Sequence, residues 1–190
     1  MSLFAKFSGW LTRRRFERTH GKIEHVSVLT KPVVCFDREL EFSLPPGFRL
    51  YGNRRDALSF ESPYMQISVQ RVAFHRHLHS LTVRDIALRF RYAVPVLSMP
   101  ELTRGYLRHS PTVSAQWQTQ TANPRTERAA LYMIEVQQSV YIFLMTGNST
   151  VISRYPAMIF ASVQVHPERV DARLRAERMT LPDNSHNSNE

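Results

Sequence analysis

The chain has 190 residues, 43% hydrophobic and 22% charged, enough for one domain with extensions to bury a core without disulfides or a structural metal. Its formal charge of +9 comes from 22 Arg and only three Lys (Lys6, Lys22, Lys31) against 16 acids. Guanidinium groups pair with carboxylates and phosphates, so acidic proteins, nucleic acid and anionic lipid are all admissible partners. A single cysteine excludes an intramolecular disulfide, and no apolar run is long enough for a transmembrane helix.

Residues 1–18 carry Leu3, Phe4, Phe7, Trp10 and Leu11 at helical spacing, with Arg13, Arg14, Arg15 and Arg18 after them. Such a helix either packs on its own domain or docks on an anionic membrane or a partner groove through Phe4, Phe7, Trp10 and the three arginines. Because the charges follow the apolar part, the segment does not read as a signal peptide, and a cytoplasmic protein is expected, in contact with the inner face of the inner membrane if this helix docks there. Residues 1–35 are read as a basic extension, 36–166 as the domain and 167–190 as a polar, partly disordered tail.

Two short extended runs, HVSVL (25–29) and VVCF (33–36), lead to the segment LEFSLPPGF. Pro45 and Pro46 lack amide donors and Gly47 accepts a left-handed backbone, so a strand ending at Leu44 turns there. Further strands are expected at 48–51, 57–61 and 64–74. In the last, Met65, Ile67 and Val69 alternate with Gln66, Ser68 and Gln70. Val72 and Phe74 then take the apolar parity, for which a one-residue bulge near Gln70 and Arg71 is the expected cause. Thr82 and Asp85 form a capping-box pattern opening a helix over 82–93.

A short helix is expected near Glu101 to Arg108, ended by Pro111. Beyond it Val113, Ala115 and Trp117 alternate with Ser114, Gln116 and Gln118, and strands at 130–136 and 140–146 complete an antiparallel meander. The run Val140–Met145 is apolar on both faces, the mark of a central, doubly covered strand. Pro156 opens a helix to about Val163, and a charged helix follows from Pro167 to about Arg178.

No motif for catalysis, cofactor or metal stands out. His75, His77 and His79 would share one face only if their strand continued, and have no cysteine or carboxylate nearby. G-x-S-x-G, H-E-x-x-H, P-loop and G-x-G-x-x-G are all absent from the sequence. Cys35 sits in an apolar run, the setting of an inert buried thiol. Arg89-Phe90-Arg91-Tyr92 and Arg104, Tyr106, Arg108 interleave arginine with aromatics as nucleic-acid surfaces do, yet the arginines are spread along the whole chain.

The element order, with its L-P-P-G-F corner, the strand YMQISVQR, the helix opened by LTVRD, the meander closed by VYIFLMTG and the ending S-V-Q-V at Ser162 to Val165, resembles the Mog1/PsbP-like fold. It is an α+β fold, an antiparallel twisted sheet with flanking helices. More narrowly the sequence is similar to the bacterial DcrB and DUF1795 group, over roughly residues 36 to 165. The resemblance implies a non-enzymatic, cofactor-free protein, and one branch, the effector-associated chaperones of type VI secretion, cradles apolar helical segments of a secreted effector on a curved sheet. The strong positive charge, the N-terminal extension and the basic C-terminal tail depart from that branch. The expected function is therefore a protein-binding chaperone or adaptor linked to a secretion system, with Gln66, Ser68, Gln70, Gln116 and Gln118 as expected partner-facing residues. The competing reading is an arginine-driven binder of anionic membrane or nucleic acid.

Overall fold

A computed structural model of the chain describes residues 31–89, 101–119 and 127–180. The expected helix over 1–18, with Phe4, Phe7, Trp10, Arg13, Arg14 and Arg15, lies outside the described residues, as do the HVSVL run, residues 90–93 of the helix opened by Thr82, and the final residues 181–190.

Among the described residues, ten strands form two sheets. The smaller consists of β1 (Lys31–Cys35), β2 (Leu40–Leu44) and β10 (Gln164–Val165), with β2 in the middle. The larger has seven antiparallel strands in the order β3-β4-β5-β9-β8-β7-β6: β3 (Arg49–Arg54), β4 (Ala57–Glu61), β5 (Met65–Ala73), β6 (Thr103–Leu107), β7 (Ser110–Thr119), β8 (Glu127–Val136) and β9 (Ser139–Asn148). The apolar run 140–145 falls in β9, which holds the central position. Its alternate side chains feed two separate cores. Tyr141, Phe143 and Met145 join Ile67, Val69, Phe42 and Phe160 on the first face. Val140 and Ile142 join Leu131, Met133, Trp117, Leu78 and Ile86 on the second.

The first face is covered by the small sheet and by three helices, α2 (Ser149–Ile152), α3 (Tyr155–Ala161) and α4 (Pro167–Thr180), which contribute Ile152, Ile159, Phe160 and Val170. (α1 is Val83–Arg89, on the other face.) The corner after β2 forms as expected, with Gly47 at φ 93° letting the chain pass from one sheet to the other. The second face is covered by a 3-10 turn (Leu78–Ser80) and α1, whose capping box is present: the Thr82 amide donates to Asp85 Oδ2 at 2.9 Å and the Asp85 amide to Thr82 Oγ1 at 3.2 Å.

Two expectations are corrected. Residues 103–107 are an edge strand, not a helix. The β6–β7 hairpin turns through Arg108 and His109, both at positive φ, a type I′ geometry reached without the Asn or Gly that usually signals it. Pro111 does not end an element but is the second residue of β7, at a position paired only with β6, where its missing amide is harmless. The second correction concerns β5, which contains no bulge: its register with β9 runs unbroken from Met65 to Ala73. Arg71 keeps the core-facing parity as a buried charge, and Val72 faces the second core. A bulge does occur in β3, where pairing with β4 slips between Leu50 and Gly52.

The β1–β2 connection is unusual. Phe36, Asp37 and Arg38 all have positive φ (53°, 55° and 66°), three consecutive left-handed residues without a glycine, each disfavoured by about 1–2 kcal/mol. They deliver Glu39 into the interior, where it is fully buried.

Candidate functional site

Two polar arrangements stand out, one buried and one open. The buried one is centred on Glu39. Tyr141 donates its hydroxyl to Glu39 Oε2 at 2.7 Å, and Arg173 of α4 donates Nε to Oε1 at 2.7 Å. Arg71 Nη1 lies 3.0 Å from Oε2 as an ion pair without hydrogen-bond alignment. Arg71 also donates Nε and Nη2 to Asp56 Oδ1 (2.9 and 2.6 Å), while Arg173 reaches Glu177 at 2.8 Å and Ser139 Oγ at 2.6 Å.

Burial alone would pull both guanidiniums down; their carboxylate hydrogen bonds more than reverse this, and both are held above the ordinary arginine value. The same environment suppresses acid chemistry. Burial, reinforced by the Glu39 charge, pushes the Cys35 thiol up to about 12, and burial with the Glu39 hydrogen bond raises the Tyr141 phenol. Both are protonated at neutral pH, so neither is an activated nucleophile or base. The network joins the β1–β2 turn, β5, β9 and α4. Its geometry is that of a clamp: partners are internal, and two guanidiniums are balanced by three carboxylates.

A second buried carboxylate, Glu135 of β8, accepts the Leu78 amide at 2.5 Å and lies 3.5 Å from His77 Nδ1, so it caps the 3-10 turn from across the sheet. The three histidines do not converge. The strand ends at Ala73, His75 and His77 are exposed, and His79 Nε2 sits 3.1 and 3.2 Å from the Gly105 and Thr112 carbonyls. Among the described residues no group of three or more His, Cys, Asp or Glu is disposed to hold a metal ion, and no helix is long and apolar enough to cross a membrane.

The open arrangement lies on the second face of the β3–β4–β5 end of the large sheet. There Arg49 pairs with Glu61, Glu61 with Gln66 and Gln66 with Thr146 across four strands, and the next row is Gly52, Ser59, Ser68 and Leu144. Gln66 is exposed and Ser59, Ser68, Gln70 and Thr146 are half-buried, a polar strip beside the second core. Arg49 is ion-paired to Glu61, and Gln70 Nε2 donates to Ser68 Oγ at 3.4 Å.

The five expected partner-facing residues divide between the two faces. Gln66, Ser68 and Gln70 line this strip, whereas Gln116 and Gln118 project from β7 on the first face, where Gln116 reaches the Tyr132 hydroxyl at 3.4 Å. They cannot form one continuous contact surface on a single face. The reason is register: each set opposes the apolar parity of its own strand, and those parities point to different cores. What the sequence reading missed is the edge. β3 is exposed along almost its whole length, and Leu50 and Tyr51 are large apolar side chains in water.

No family model matches the sequence, and no curated protein matches it. Solved structures do. The solution structure of cyanobacterial PsbP (CyanoP) from Synechocystis sp. PCC 6803 is similar at a TM-score of 0.54 and 15% identity, over 77% of this chain and 98% of that one. A crystal structure from Bacteroides thetaiotaomicron VPI-5482 is similar at a TM-score of 0.52 and 7% identity, over 73% of this chain and 49% of that one, so the chain spans about half its length. At such identities the likeness is one of fold, and the fold is α+β, of the Mog1/PsbP-like type.

Proposed function

We propose that this chain is a non-enzymatic protein-binding module, a chaperone or adaptor of the DcrB/DUF1795 kind. On this reading it works in the cytoplasm beside a bacterial secretion system of type VI character, with a secreted effector as its partner. The observation that carries it is the open polar strip of Gln66, Ser68 and Thr146, spread over two adjacent rows of a sheet whose neighbouring surface is packed by α1 and the 3-10 turn. Half-buried amides and hydroxyls on a rigid sheet present donors and acceptors without pre-paired acid–base chemistry, which suits recognition of a polypeptide. The buried groups that could have supplied reactivity are engaged in the Glu39 clamp.

One feature departs from the chaperone branch. The strip is polar, so a bare apolar helix is not its natural occupant; a segment with its own polar backbone or side chains on the contact side fits better.

The test is affinity capture of the tagged full chain from its native cell, compared with a Gln66→Arg/Ser68→Arg variant. A specific protein recovered with the first and lost with the second supports the reading. Recovery of a stoichiometric metabolite or nucleic acid in place of a protein overturns it.

A further inference from the structure

Resting on that reading, we infer that the partner engages the free edge of β3, and that what docks there is an extended, acidic segment added to the sheet as an eighth strand. Among the described residues β3 ends the seven-stranded sheet and pairs only with β4, so its outward amides and carbonyls form an open template. Leu50 and Tyr51 on it are 51% and 53% exposed, a local excess of apolar surface on a strand that buries none of its residues.

The other edges are dressed differently. On β6, Arg104 is turned inward, donating to the His79 and Leu81 carbonyls, and the Tyr106 ring packs edge-on against His79. β1 carries Pro32, which cannot donate to an incoming ladder. On β3 the inward-turned side chain is Arg49, held by Glu61 at the start of the strand, while Leu50 to Arg54 carry neither such a contact nor a proline.

Charge selects the occupant. Arg54 and Arg55 at the end of β3 are exposed; Arg55 comes within 4.0 Å only of Glu177, and Arg54 has no acidic partner among the described residues. A second copy pairing two-fold through the whole of β3, centred between Tyr51 and Gly52, would set Arg49 opposite Arg54 in both halves, and like charges directly opposed are destabilising. The bulge at Tyr51 further disfavours a flat self-pairing. The HVSVL run at 25–29 carries no acid. An acidic strand satisfies the open ladder, the two arginines and the apolar pair together.

The probe is an acetylated Val-Glu-Val-Glu-Val-Glu peptide, added to the full chain and followed by fluorescence anisotropy and by hydrogen exchange of residues 49–54. Binding should protect β3 amides, weaken with salt, and fall about tenfold for Arg54→Glu/Arg55→Glu, whose exposed positions leave the fold unaffected. The same peptide N-methylated at alternate residues keeps its charge and should not bind. No binding, or equal binding of the methylated peptide, overturns the inference. So does protection of the outward β3 amides before peptide is added: concentration-independent protection would mean the edge is covered by another segment of the same chain, and concentration-dependent protection would mean a second copy. A native partner captured equally by the wild type and the arginine variant removes β3 as its docking site and leaves the binding-module reading standing. Peptide binding as described with no native protein captured removes only the latter.

Discussion

Glu39 is a carboxylate withdrawn from water and held by Tyr141, Arg71 and Arg173. Deleting it removes the carboxylate that Arg71 and Arg173 share and leaves the buried Tyr141 hydroxyl without its acceptor, while Asp56 and Glu177 still hold one arginine each, so Glu39→Ala should lower unfolding free energy by about 3 kcal/mol. Glu39→Gln, which preserves shape but not charge, should lose most of the same amount; a near-neutral Glu39→Gln in urea titrations would show that the charge is dispensable. Cys35 offers a second test. Because its folded pKa is raised from 9.0 to about 12, the unfolded thiol releases its proton first. Stability is therefore fully present below pH 9 and falls as pH rises through that window, by up to about 1.4 kcal/mol per pH unit. Tyr141, also raised, adds to the same alkaline loss. A Cys35→Ala variant should show a shallower decline above pH 9 than wild type; parallel curves would remove the thiol from the account. The inertness of Cys35 was legible from its apolar neighbours. The clamp was not, because its members are scattered between positions 39 and 177 and no local pattern links them.

At the scale of elements, strand packing sets sharp limits on side chains. A methyl group on Gly147 of β9 would meet the Tyr64 carbonyl oxygen at 2.1 Å, whereas one on Gly105 of β6 would find ordinary contact with Thr112 at 3.4 Å. Gly147→Ala should therefore destabilise by about 1–3 kcal/mol and Gly105→Ala by less than about 1, read from thermal or urea melts. Strands with clean alternation, such as Met65 to Val69 and Val113 to Trp117, were readable directly, as was the central position of Val140 to Met145. The misreadings share a physical cause. TRGYL lacks β-branched density and its turn, Arg108-His109, reaches a left-handed conformation with residues that do not advertise it. Arg71 mimics a phase slip because a paired, buried arginine occupies a core position that periodicity reserves for apolar groups. The polar strip could be anticipated from Gln66, Ser68 and Gln70, but its separation from Gln116 and Gln118 depends on which core each strand serves, which only the register of four strands reveals.

On the scale of the whole molecule, one sheet divides two cores, and β9 contributes to both. The two sides should therefore melt together. In a Trp10→Phe background, Trp117 fluorescence reports the second core and Cys35 thiol reactivity the first, and their urea midpoints should coincide; separated midpoints would make the cores independent. The left-handed turn at Phe36, Asp37 and Arg38 has a further consequence, for the order of events in folding. A turn disfavoured in isolation cannot nucleate the β1–β2 hairpin, and what holds it, the Glu39 contacts to Tyr141, Arg71 and Arg173, exists only after β5, β9 and α4 have assembled. Truncating Val33 in β1 should accordingly speed unfolding and leave the folding rate nearly unchanged in stopped-flow chevrons. That outcome would place closure of the small sheet after assembly of the large one, so that during synthesis β1 would wait for α4 to emerge.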